Sequence, residues 1–112
     1  MKTVFFDIDT QIDFMYPAGA LYVPGAETIL PLISRLNHAA PLVISTMCAH
    51  AEDDPEFLIY PHHCVRGTLG QNKPARTLLE RRVVLPSRAD GAHQIILEKQ
   101  KLDSRQLFSK TL

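Results

Sequence analysis

Neither sign of charge is in surplus: twelve Lys+Arg face twelve Asp+Glu across 112 residues, a formal net charge of zero. That removes the basic excess on which nucleic-acid binding depends, so no nucleic-acid partner is expected. Cysteine is scarce, and Cys48 and Cys64 are too few for a disulfide framework; they read as free thiols or ligands. Apolar runs such as Pro41-Leu42-Val43-Ile44 fall far short of the ~20 residues that span a bilayer, so no membrane partner is expected either. The N-terminus meets acid at Asp7, too early for a secretory leader, and a cytoplasmic location is expected. Length allows one core at most, hence a single domain over 1–112, and 46% hydrophobic with 21% charged residues is a globular composition.

What is present is an alternation of strands and helices. Thr3-Val4-Phe5-Phe6-Asp7-Ile8 is a short β-rich run ending in acid, as a buried parallel strand does at its C-terminal end. A loop with Pro17, Gly19, Pro24 and Gly25 leads to residues 26–38, where Ile29, Leu32, Ile33 and Leu36 recur at helical spacing. Leu42-Val43-Ile44-Ser45-Thr46 is the next strand, which closes a right-handed βαβ unit. Residues 47–73 show no periodicity and read as a long loop of the functional kind. A short helical stretch is expected from Pro74 to Arg82, a third parallel strand over 93–98, and at best a weak helix beyond Lys101. Three parallel strands make only half of a doubly wound α/β sheet, so one edge of the first strand is expected to be bare and to invite a partner.

Three separated motifs carry the chemistry. The first is Asp9-Thr10-Gln11-Ile12-Asp13-Phe14 with Gly19-Ala20-Leu21-Tyr22-Val23-Pro24-Gly25-Ala26-Glu27. The second runs from Ser45-Thr46-Met47 through His50 to Tyr60-Pro61-His62-His63-Cys64-Val65-Arg66-Gly67-Thr68, and the third is Ile96-Leu97-Glu98-Lys99. Together, in this order, they resemble the isochorismatase-like cysteine hydrolases, the superfamily containing nicotinamidases. The resemblance implies a Rossmann-like three-layer α/β/α fold with a parallel sheet, here represented by its N-terminal half. It implies a hydrolase acting on C–N bonds of small planar amides, in which a cysteine thiolate attacks a carbonyl, an aspartate handles the thiol proton and a lysine balances charge. Asp9 matches that aspartate and Lys99 that lysine. The two are expected to meet where their strands end, at the C-terminal crevice of the sheet. The family's nucleophile follows a fourth strand, beyond the positions matched here.

The resemblance also implies a divalent metal. His50, Glu56 and His63 match three of its ligand positions, and Cys48 stands where an aspartate is expected. A thiolate, two imidazoles and a carboxylate form a fair zinc set on one loop, whereas no organic cofactor is implied. His62 is a rival ligand. Phe14 and Tyr60 match positions that line the substrate pocket, and Asp13 is expected to turn its own loop by hydrogen-bonding the backbone.

Two other readings are open. Val4-Phe5-Phe6-Asp7-Ile8-Asp9-Thr10 is similar to the opening of haloacid-dehalogenase-like phosphatases, with Asp7 as nucleophile, but Gln11 and the downstream motifs are then unexplained. The chain alone could instead be inactive, a truncated homologue awaiting its C-terminal half or a subunit that pairs with a second copy through its first strand.

Overall fold

The computed structural model describes residues 3–85 and, for their strand placement, 93–99. Four strands form one sheet in the order β1-β2-β4-β3: β1 (Val4–Ile8), β2 (Leu42–Cys48), β3 (Arg82–Leu85) and β4 (His93–Lys99). β1 and β2 are parallel, with Phe5 opposite Val43 and Ile8 opposite Thr46. Between them lie a four-residue helix α1 (Ile12–Met15), a 3-10 turn at Ala26–Ile29 and helix α2 (Leu30–Ala39). The α/β class and the βαβ unit therefore stand as expected. Among the described residues no helix is long and apolar enough to cross a membrane.

Pro31 lies in the first turn of α2, where its missing N–H breaks no helical bond, and Pro41 follows the last helical residues, which it cannot continue. The helix turns Leu30 and Asn37 inward and leaves Ile29, Leu32 and Leu36 largely exposed, which rotates the face that apolar spacing alone suggests. The cause is polar. Asn37 Nδ2 donates to Asp7 Oδ2 (2.9 Å) and to the Thr77 carbonyl (3.0 Å), so the helix is registered on the sheet by an amide. Below it Ala40, Val43 and Leu79 pack with Phe5 into a small core.

The third parallel strand is corrected. β4 runs antiparallel to both β2 and β3, and it inserts between them. Only residues 86–92 separate β3 from β4, too few for a parallel crossover, which needs a dozen or more. The stretch after Pro74 is also not a helix of any length: it is one 3-10 turn at Ala75–Thr77, followed by the unanticipated strand β3. The weak helix beyond Lys101 lies outside the described residues.

Among the described elements α2 packs on β1, on the side of Phe5 and Asp7, so a three-layer arrangement is not complete within them. Val4, Phe6 and Ile8 alternate onto the other face of β1, and Phe6 and Ile8 are 64% and 65% exposed. Among the described residues β1 is an edge strand, paired only with β2. An open groove lined by Phe6, Ile8, Ile33 and Leu36 runs along it.

Candidate functional site

The site is built where β1 and β2 end. Asp9 follows the last residue of β1 with φ of 54°, a left-handed conformation that a non-glycine residue adopts only when its surroundings hold it there. They do. Its N–H donates to the Thr46 carbonyl (3.0 Å), and its Oδ1 accepts from Thr46 Oγ1 (2.7 Å). Its other oxygen, Oδ2, faces Cys48 Sγ at 3.5 Å. Burial, and then the Asp9 charge, push the Cys48 thiol up to about 12, so Cys48 is a protonated donor to Asp9.

Two side chains clasp the loops around this point. Gln11 is fully buried; its Nε2 donates to the carbonyls of Cys48 and Gln71 (both 2.7 Å) and its Oε1 accepts from the Cys48 N–H (2.7 Å). Asp13 does turn its loop, accepting from the Ala20 N–H (3.0 Å), and it also reaches across to the Cys64 N–H (2.7 Å). Gly19 and Gly70 are there because Asp13 crowds them: a Cβ on Gly19 would stand 2.3 Å from the Asp13 carbonyl oxygen, and one on Gly70 2.2 Å from the Asp13 carboxylate.

Held in this way, residues 64–66 pair with His50 as a short parallel bridge, through His50 N–H to Cys64 O (3.0 Å) and Arg66 N–H to His50 O (2.9 Å). The bridge brings the two histidine rings face to edge, 4.9 Å between centroids. Glu56 enters from a 3-10 turn at Pro55–Leu58. Asp54 accepts from the Glu56 N–H and the His50 ring, and these two bonds hold its carboxyl below the usual range.

The ring tautomers follow from their partners. His50 Nδ1 lies 2.9 Å from Asp54 Oδ2 and His63 Nδ1 2.7 Å from the Pro61 carbonyl; both partners only accept, so each Nδ1 carries a proton, and in the neutral ring each Nε2 presents a lone pair. Those two Nε2 atoms converge on Glu56, at 3.6 Å (His50) and 3.8 Å (His63) from its two oxygens. With both rings neutral, three acceptors meet with no donor among them. His50 Nε2 is buried without a hydrogen-bond partner. Ligand atoms around a tetrahedral zinc at ~2.1 Å stand about 3.4 Å apart; the two nitrogen-to-carboxylate separations are near that value, and the three ligand atoms lie within 4.8 Å of one another. The residues present therefore fit a divalent cation.

Of the expected ligands, His50, Glu56 and His63 are brought together, with ligand atoms within 4.8 Å of one another. Cys48 is not in that group, because its thiol is turned to Asp9. His62 is turned away as well: it lies against Phe57 (4.4 Å between centroids) with Nε2 3.2 Å from the Glu52 carbonyl. Phe14 packs 5.5 Å from the His63 ring, while Tyr60 is an exposed residue of the loop tip beside Leu58 and Ile59.

Lys99 stands in register with Leu42, at the start of β2, whereas Asp9 lies beyond the pair of Ile8 and Thr46. The antiparallel direction of β4 thus separates the two backbones by ~13 Å or more along the strands, instead of bringing them to one crevice. A different lysine is buried nearby. Lys73 Nζ, with its side chain fully enclosed, lies 3.4 Å from Asp7 Oδ1 and donates to the Asp7 carbonyl and Thr10 Oγ1 (both 3.1 Å). Sequence reading passed over it, because nothing in Gln71-Asn72-Lys73-Pro74 marks a lysine for burial. Asp7, the nucleophile of the phosphatase reading, is buried with both carboxylate oxygens engaged by Thr10, Lys73 and Asn37.

No protein-family profile matches the sequence, and no curated protein matches it. Among solved structures, the chain is similar to an isochorismatase-like hydrolase from Alkaliphilus metalliredigens, with a TM-score of 0.59 and 24% sequence identity. The match covers 72% of this chain and 48% of that one, so the chain spans about half the length of its structural relative. The chain has the isochorismatase-like hydrolase fold.

Proposed function

We propose that this chain carries the N-terminal part of an amidase-type hydrolase for C–N bonds of small planar amides, and that His50, Glu56 and His63 hold a divalent cation, zinc first. The single observation that supports the cation most is the convergence of two Nε2 lone pairs and a carboxylate, one of those nitrogens buried and unpartnered. Nitrogen and oxygen donors in this ratio suit zinc and its first-row neighbours better than magnesium or calcium. Three protein ligands leave a position open, as in catalytic rather than structural zinc sites. A bound cation there supplies Lewis acidity toward water or a substrate's ring nitrogen.

The chain's own residues do the rest. Asp9 is placed to accept a thiol proton, since its Oδ2 already faces an S–H at 3.5 Å. Phe14, against the His63 ring, offers an apolar flank to a planar substrate, and the half-exposed Tyr60 is the second aromatic that the resemblance implies there. The attacking cysteine comes from outside this stretch of sequence, as the resemblance implies. Lys99, the charge-balancing lysine that the resemblance implies, stands in register with Leu42 rather than beside Asp9.

A second reading is favoured by one observation, the exposed apolar face and free edge of β1. On that reading the chain alone turns over nothing, and becomes competent only when a second copy or a C-terminal half covers β1. Titration of the metal-stripped chain with zinc tests the proposal, with an amidase assay on nicotinamide run alongside. One zinc per chain, lost in His63→Ala, is expected; no zinc uptake, or uptake unchanged in His63→Ala, overturns the cation site.

A further inference from the structure

We propose that Asp54 is the positioning residue of the cation site, a single carboxylate that sets both His50 and Glu56; this rests on the reading of His50, Glu56 and His63 as cation ligands. Its two oxygens divide the work. Oδ2 accepts from His50 Nδ1 at 2.9 Å, and Oδ1 accepts from the Glu56 N–H at 2.9 Å. The two ligands so held come from different elements, the bridge after β2 and the 3-10 turn at Pro55–Leu58. Pro55, the first residue of that turn, has a fixed φ, which limits how the backbone passes from Asp54 to Glu56.

An N-cap needs only one acceptor, and Ser or Asn would serve as well as Asp. The second oxygen is engaged only by the imidazole. By accepting from Nδ1 it keeps the proton there, so that His50 Nε2 carries a lone pair and points, buried and unpartnered, toward Glu56. His63 has the same support from a backbone carbonyl, that of Pro61. The orientation of the ring that a carboxylate holds is a general determinant of metal affinity, commonly 10–100-fold.

Two variants separate positioning from capping. In Asp54→Asn the amide has one acceptor and one donor end, so it cannot serve the Glu56 N–H and the His50 Nδ1–H together. In Asp54→Ser the hydroxyl caps Glu56 but is too short for the ring. The full chain, stripped of metal, is titrated with zinc as wild type and as each variant. The His50 tautomer is read from its ring nitrogen resonances without metal, and far-UV circular dichroism checks the fold.

Expected are a folded protein, a 10–100-fold loss of zinc affinity in Asp54→Ser and Asp54→Asn, and appearance of the Nε2–H tautomer of His50. Should Asp54→Asn not fold, Asp54→Ser decides by itself. Zinc affinity in Asp54→Ser within twofold of wild type, with the tautomer unchanged, overturns the positioning role and leaves a cap. If wild type takes up no zinc the cation reading fails separately, and the metal-free tautomer in Asp54→Ser still decides whether Asp54 orients the ring.

Discussion

Replacing Lys73 by Met tests the buried ion pair that ties the loop before Ala75 to β1. The Lys73 side chain is fully enclosed and that of Asp7 nearly so, at 0% and 4% exposure. Among the partners of its ammonium are Asp7 Oδ1, the Asp7 carbonyl and Thr10 Oγ1. Methionine fills the volume and removes the charge, leaving an enclosed carboxylate with only Thr10 Oγ1 (2.6 Å) and Asn37 Nδ2 (2.9 Å). Breaking one side of a buried pair costs about 3–5 kcal/mol, against ~5–15 kcal/mol for the whole stability of a domain of this size. Urea unfolding should therefore show a midpoint lowered by about a fifth or more, and the melting temperature should fall by roughly 10–20 °C. The double variant Asp7→Asn with Lys73→Met removes both charges and should recover most of the loss. A Lys73→Met variant within ~1 kcal/mol of wild type, or a double variant no better than the single, would refute the claim that this pair is desolvated and mutually dependent.

Gly19→Ala should lower stability by several kcal/mol in the same urea assay, because its Cβ would meet a backbone oxygen at 2.3 Å and backbone cannot swing away. A neutral result there would mean that the Asp13 loop is looser than its two bonds imply. Cys48 should be alkylated by iodoacetamide at pH 8 at least tenfold more slowly than an ordinary thiol, as read by peptide mass, since burial and Asp9 raise it to about 12. Asp9→Asn should speed that reaction. The same shift has a linkage sign: the folded thiol stays protonated while the unfolded one ionises, so its contribution to stability is intact below pH ~9 and declines above it. The alkaline slope should be shallower in Cys48→Ser.

The first strand, the second strand and the helix between them were legible because each writes its burial into a short local pattern. So were His50, Glu56 and His63, because one loop carries all three and a motif marks it. Strand direction was not legible: Gln94-Ile95-Ile96-Leu97 has the same apolar run whichever way it points, and direction follows from the length of the connection after Leu85. Arg82-Val83-Val84-Leu85, only four residues, left no period to read. Cys48 has ligand chemistry, but its thiol goes to the carboxylate that β1 delivers beside it. Asn37 turned α2, and Lys73 found Asp7, through contacts 30 and 66 residues apart in sequence. Such pairings are properties of the folded topology and have no local signature.

The Asp13 clasp also sets an order of events. His50 and Glu56 are near neighbours in the chain and can meet early, but His63 is delivered by Cys64, whose N–H is held by a carboxylate 51 residues upstream. A pairing that distant forms late, after loop closure has been offset by other contacts. On the proposed reading of His50, Glu56 and His63 as cation ligands, an ion arriving during synthesis encounters at most two of the three, and its uptake should follow the rate of refolding rather than of diffusion.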